Sequence, residues 1–217
     1  MRYVKKLEAP NFFYDDVKDF KSWDDYDFNK DTKQKRRNLR QYILENEQNF
    51  LCIYCECRLD IDNSHIEHLK PKEKYESLTF YYNNLSVSCE GICLKGNSTD
   101  KKKHRCGHKK DNLFNESKFL NPVVLQDIRD YFIYEETQKD YFEIKSSSKD
   151  KIKSNYMIDE LLSLNSGSTP KARGNALRSF RKSLSKIQDL QERHVKFDEI
   201  LEKSFPFVSF IRFYYDR

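Results

Sequence analysis

Cys52-Ile-Tyr-Cys55 puts two thiols three positions apart, a spacing that lets both point at one ion from a tight turn. Downstream lie His65-Ile-Glu-His68, then Asn83-Asn-Leu-Ser-Val-Ser-Cys89, then Cys106-Gly-His-Lys-Lys110. Residues 51–112 hold all six cysteines and four of the five histidines in under a third of the chain. Thiolates and imidazoles suit zinc, and a carboxylate beside an imidazole adds a hard oxygen ligand and a proton acceptor. Together they are the equipment of metal-assisted hydrolysis held in place by a structural metal. No βαβ pattern surrounds Cys52 and Cys55, which argues against a redox pair. The knuckle closes with Cys89 and either Cys93 or Cys106, the second choice making residues 90–105 an insert. Cys57 stands outside either set.

The flanking elements have to position these groups. Residues 1–30 are rich in Asp, Lys, Tyr and Phe without a clear period, and read as short elements wrapping a neighbour. From Asp31, a candidate N-cap, to Gln48 the spacing of Leu39, Tyr42 and Ile43 predicts an amphipathic helix. Its basic face carries Lys33, Lys35, Arg36, Arg37 and Arg40. Tyr131-Phe-Ile-Tyr and Tyr141-Phe-Glu-Ile predict a hairpin around residues 136–140. A helix is expected from Ile152 to Leu164, with Tyr156, Leu161 and Leu162 facing inward. A long helix follows from Thr169 and Pro170, with apolar positions recurring to Leu201 and one interruption near His194. Pro206 ends it, and the run from Phe207 to Tyr215 reads as a strand.

The order of these motifs resembles the HNH, or ββα-metal, nucleases. More narrowly, it resembles the HNH component of Septu anti-phage systems, a likeness extended by Phe119-Leu-Asn-Pro122 and Leu161-Leu-Ser-Leu-Asn165. The resemblance implies an α+β fold: a central ββα-metal core with a zinc knuckle, an N-terminal helix and a mainly helical C-terminal region. It divides the chain into residues 1–50, a nuclease core at 51–115, and 116–217. It also favours Cys106 over Cys93 as fourth zinc ligand, since the Cys106 stretch resembles the closing knuckle and Cys93 is followed by no ligand.

Within that frame the catalytic set is His68, Glu67, Asn84 and His108. An imidazole titrating near pH ~6.5 makes His68 the general base, and Glu67 offers an oxygen to Mg²⁺ or Mn²⁺. Asn84 is implied to brace the histidine's loop. The family often has Asn or His directly after the last zinc cysteine. Gly107 holds that place here, so His108 is the second ligand of the catalytic ion, with Asn112 as fallback. His65 shares a strand face with Glu67 and reads as a supporting residue. Lys70, Lys72, Lys101, Lys102, Lys103, Arg105, Lys109 and Lys110 are candidates to meet phosphates, and Arg173, Arg178, Arg181, Lys182 and Lys186 could extend that track.

Composition sets the outer bounds. With 37% hydrophobic and 35% charged residues, 16 Phe and 14 Tyr, the core is thin and aromatic, and a structural zinc would support its folding. The net charge of +5 argues only weakly for a polyanionic partner. No apolar run approaches the ~20 residues that cross a bilayer, and the start lacks a secretory apolar stretch, so a cytoplasmic protein is expected. The chain has no phosphate-binding GxxxxGK[ST] loop, and the resemblance implies a hetero-oligomer with a PtuA-like ATPase, acting on DNA or RNA. The competing readings are an HNH nuclease of restriction or repair, and a zinc ribbon that binds nucleic acid without cutting it.

Overall fold

The computed structural model describes residues 1–91 and 105–215. Cys93, Lys101, Lys102 and Lys103 lie outside the described residues, as does the side chain of His194. The fold is α+β, with, among the described residues, two separate two-stranded antiparallel sheets set among helices. Among the described residues, no helix is long and apolar enough to cross a membrane.

Pro10 precedes α1 (Asn11–Val17), which turns Phe13 and Val17 into the core. A capping box on Ser22 starts a short 3-10 turn, Trp23–Asp27, which buries Tyr26. Helix α2 (Lys30–Ile43) is capped two residues before the expected position, Asp31. Asn29 caps it, accepting from Thr32 N at 2.9 Å while Thr32 Oγ1 accepts from Asn29 N at 3.0 Å. Leu39 and Ile43 are buried as the periodicity requires, and Arg36 and Arg37 reach out to Asp27 and Asp62.

Helix α2 runs on through one π-type turn, Leu44–Gln48, and stops at Asn49, whose φ is 52°. The fully buried Gln48 then does for the next strand what a third strand would do. Its amide donates to Leu51 O at 2.7 Å and Val87 O at 2.8 Å, and its Oε1 accepts from Val87 N at 2.7 Å. Buried backbone groups without partners are costly, so this one side chain fixes α2 against the first sheet.

That sheet pairs β1 (Ser64–His68) with β2 (Leu85–Cys89), Ser64 opposite Cys89 and His68 opposite Leu85. The four-residue helix α3 (Gly107–Lys110) packs beside it. The second sheet pairs β3 (Phe132–Gln138) with β4 (Tyr141–Ser146) across a two-residue turn in which Asp140 has a φ of 63°. The strands therefore extend further into residues 136–140 than the sequence suggested.

Helix α4 (Lys151–Asn155) is capped by Asp150 and continues as a π-type turn to Leu161, with Tyr156, Leu161 and Leu162 buried as expected. Helix α5 (Thr169–Leu184) opens with Pro170 and lies on β4. Its Gly174 is required by that approach, since a Cβ there would strike Asp140 O.

Two expectations fail in the C-terminal region. The long helix breaks at residues 185–189, before Asp189 caps α6 (Leu190–Ser204), rather than near His194. The run after Pro206 is helix α7 (Val208–Tyr215), not a strand. Phe207, Phe210 and Ile211 are buried at helical spacing, and the aromatic, β-branched composition that suggested a strand serves equally for an apolar helix face. Of the C-terminal basic residues, Arg173 is interior, donating to Phe142 O at 2.9 Å and Leu164 O at 2.9 Å. Arg178 pairs with Asp140.

Gln48→Leu keeps the volume but strands Val87 N and Leu51 O. It should cost about 2–4 kcal/mol, read as a lower urea midpoint of the zinc-loaded protein.

Candidate metal centre and active site

Four sulfurs meet beneath β2. Cys52 and Cys55 come from the tight turn after α2, Cys89 ends β2, and Cys106 stands at the head of α3. All four side chains are buried and their Sγ atoms lie within 4.8 Å of one another, Cys55 and Cys89 at 3.9 Å. A tetrahedral zinc with Zn–S bonds of ~2.3 Å would set sulfurs roughly 3.8 Å apart, close to the Cys55–Cys89 separation, so the four could hold that ion. Thiols packed this closely cannot share negative charge unaided: its sulfur neighbours pull Cys55 well below the usual thiol range, while burial pushes Cys106 well above it.

The turn that presents the first pair is held by Cys52 N to Cys57 O at 2.9 Å and by Ile53 N to Val87 O at 3.0 Å. Cys57 is buried beside the cluster without being part of the four. Cys106 takes a φ of 55° and anchors its own N–H to Leu162 O at 2.9 Å, while Gly107 N donates to Ser88 Oγ at 3.0 Å. The sulfur cluster and these two bonds seat α3 on the sheet.

Seating α3 delivers Lys110. Its ammonium is 2.9 Å from Glu67 Oε1 and donates to His68 O at 2.8 Å, both inside the protein. Tyr54 also donates to Glu67 Oε1, at 2.9 Å. Burial would raise the Glu67 carboxyl, but Lys110 and His65 outweigh it and hold it down at about 2. Glu67 is therefore a fixed anion whose second oxygen, Oε2, faces His65 Nε2 at 3.6 Å.

His68 points the other way along the strand. Its Nε2 lies 3.0 Å from Thr79 O, and a carbonyl can only accept, so that nitrogen carries the hydrogen and Nδ1 holds the lone pair. The edge of Trp23 meets the ring at 4.4 Å between centroids and 79°, fixing its plane. Burial pushes the imidazole down to about 4, so it is neutral at pH 7.

The loop that presents Thr79 is held in turn by Asn84, through its neighbour Leu78. The Asn84 side chain accepts from Lys70 N at 2.8 Å and donates to Lys70 O at 3.0 Å and Leu78 O at 3.2 Å, closing the loop between the two strands. Asn84 thus touches the loop rather than the cleft. His68, Glu67, His108 and Asn112 line one open cleft of about 500 Å³ with His65, Lys72 and Glu73.

His108 pairs with Glu90. Its Nε2 sits 2.5 Å from Glu90 Oε2, and its ring is 4.5 Å from that of His65. Asn112 donates to Glu73 at 2.5 Å. Glu90, Tyr54, Thr79 and Trp23 were not singled out from the sequence. Glu90 alone carried a signal, as an acidic residue directly after a zinc-ligand cysteine.

The cations expected at phosphates divide. Lys109 is exposed on α3, Lys72 is half-buried in the cleft, and Lys70 pairs with Glu116. Arg105 and Lys110, by contrast, are only 2% exposed. Lys110 neutralises Glu67, and neither side chain is placed to meet a phosphate.

No family model matches the chain. Among curated proteins, it is 34% identical over 88 residues to a Vibrio cholerae protein bearing the name of a retron Vc95 HNH endonuclease, a match covering 39% of this chain and 36% of that protein. The chain resembles an HNH nuclease. More particularly, it resembles the Septu protein PtuB of Bacillus thuringiensis, at 40% identity over 63 residues, covering 28% of this chain and 24% of PtuB. The matches therefore span about a third and a quarter of those relatives' lengths.

Two substitutions test this arrangement. Cys106→Ser should lower zinc content by metal analysis and remove most of the ~10 kcal/mol that such an ion contributes, leaving no cooperative thermal transition. Lys110→Met leaves Glu67 buried without a cation and should cost about 3–5 kcal/mol, measured as a lower melting temperature with zinc still bound.

Proposed function

We propose that the chain is a metal-dependent HNH endonuclease that hydrolyses phosphodiester bonds of DNA or RNA, with residues 51–115 as its ββα-metal core. The observation that carries this reading is the setting of His68: a neutral imidazole, oriented by Thr79 O and Trp23, on the same cleft as a carboxylate that buried contacts keep ionised.

Zinc fits the four cysteines as a structural ion. Glu67 and His108 would hold a divalent ion, Mg²⁺ or Mn²⁺, which supplies charge stabilisation at the scissile phosphate. His68 Nδ1 takes a proton from the attacking water. Because Nε2–H is bonded to Thr79 O, the positive charge that develops on the ring is stabilised by a carbonyl dipole. Lys110 keeps Glu67 charged, and its bond to His68 O fixes the end of the strand. Lys72 and Lys109 meet neighbouring phosphates, giving salt-sensitive binding without base readout. Asn84 is a positioning residue that acts through the loop holding Thr79.

The likeness to PtuB supports a place in an anti-phage Septu-type complex in the cytoplasm, with a PtuA-like ATPase controlling cleavage. With Mn²⁺ or Mg²⁺ and the ATPase encoded beside it, the protein should cut DNA or RNA. His68→Ala should lower the rate by a factor of about 10² to 10⁴ while zinc content stays unchanged. Cutting at the parental rate by His68→Ala would remove His68 as the base. Normal nucleic-acid binding without any cutting by the parent would favour a non-catalytic zinc ribbon.

A further inference from the structure

We infer that His65 and Glu90 are ligands of the divalent ion together with His108, and that this makes the site one for a transition-metal ion rather than for Mg²⁺. The inference rests on the nuclease reading for the ion's task, but not for its binding. Glu90 follows the zinc-cluster residue Cys89, His65 stands two residues before Glu67 on β1, and His108 is the second residue of α3. One ligand atom from each of the three lies within 4.8 Å of the others.

The contacts inside this group converge on Glu90. Glu90 divides its two oxygens between the rings, Oε2 at 2.5 Å from His108 Nε2 and Oε1 at 3.3 Å from His65 Nδ1. His65 Nδ1 is a buried atom that makes no well-directed hydrogen bond, although Glu90 lies near it. The other ring nitrogen, Nε2, faces Glu67 Oε2 at 3.6 Å, so in this arrangement Glu67 orients the imidazole, as carboxylates do for metal-bound histidines, and His65 and Glu90 take the place beside His108 that the nuclease reading gives to Glu67.

Gly107 makes this placement possible. A Cβ at that position would meet Glu67 Oε2 and lie 2.5 Å from His65 Nε2, so a side chain there would displace the His65–Glu67 pair. The first position of α3 is kept empty, and the ring of a β1 residue occupies the space instead.

Two imidazoles and a carboxylate form a borderline donor set. Such donors favour Mn²⁺, Co²⁺, Ni²⁺ or Zn²⁺, whereas Mg²⁺ asks for oxygen ligands and retained waters.

Mn²⁺ is the probe, added to the full chain with its structural zinc retained and followed through loss of the free-ion EPR signal. One Mn²⁺ should bind per chain, and a tenfold excess of Mg²⁺ should leave most of it bound. His65→Ala, Glu90→Gln and Gly107→Ala should each weaken Mn²⁺ binding at least about tenfold, with zinc content and melting temperature as folding controls. Glu90→Gln nearly preserves shape at a half-exposed position, so it remains informative if another variant is unstable. Parental Mn²⁺ affinity in His65→Ala and Glu90→Gln overturns the inference while leaving a nuclease ion on Glu67 and His108. Absence of any Mn²⁺ site in the parent overturns both.

Discussion

The meeting of four thiols from three distant stretches of chain is the constraint on which the remaining geometry rests. Helix α3 has only four residues, far too few to persist by its own hydrogen bonds. Cys106 ties its first turn to the sulfur cluster, and Leu162 O and Ser88 Oγ take the neighbouring backbone N–H groups. Once α3 is seated, Lys110 reaches both Glu67 and the carbonyl of His68. A structural ion would therefore set the electrostatics of the cleft through one buried lysine, without touching substrate.

A second support comes from the other side of the hairpin and does not involve sulfur. Asn84 closes the loop between the strands, the loop offers Thr79 O to His68, and Trp23 covers the ring from the N-terminal turn. Glu47 joins this side to the core, accepting from Tyr82 OH at 2.6 Å and pairing with Lys6 at 2.5 Å. Trp23, among early residues that carry little chemistry of their own, thus fixes the plane of the imidazole, while Thr79 O fixes its tautomer. Burial lowers the basicity of His68, so it stands neutral and ready to accept a proton, while burial pushes the Glu67 carboxyl up and Lys110 and His65 more than offset it.

The resemblance to HNH nucleases, more than spacing, pointed to Cys106 as the fourth sulfur, to a hairpin carrying Glu67 and His68 and to Asn84 at its loop; the four sulfurs do lie together, β1 carries the Glu-His pair, and Asn84 bonds Lys70 and Leu78. Spacing and residue type alone give the Cys52–Cys55 pair and the carboxylate beside an imidazole. Contacts made by chain folding were not legible. Nothing near Gln48 marks it as a substitute strand, and nothing in the run from Arg105 to Lys110 separates the exposed Lys109 from the buried Lys110. Glu90 looked like an ordinary acidic residue because its partners, His65 and His108, lie 25 residues before it and 18 after it. The C-terminal run was misread because Phe, Val, Ile and Tyr satisfy a strand and an apolar helix face alike. Only the burial of Phe207, Phe210 and Ile211 decides between them.

The most direct measurement is X-ray absorption at the zinc edge on the purified full chain. Four sulfur scatterers at about 2.3 Å, with no nitrogen or oxygen in the shell, are expected for an ion held by Cys52, Cys55, Cys89 and Cys106. A shell containing histidine nitrogen, or stoichiometric protein that folds with no zinc at all, would contradict the four-sulfur staple as the element that seats α3.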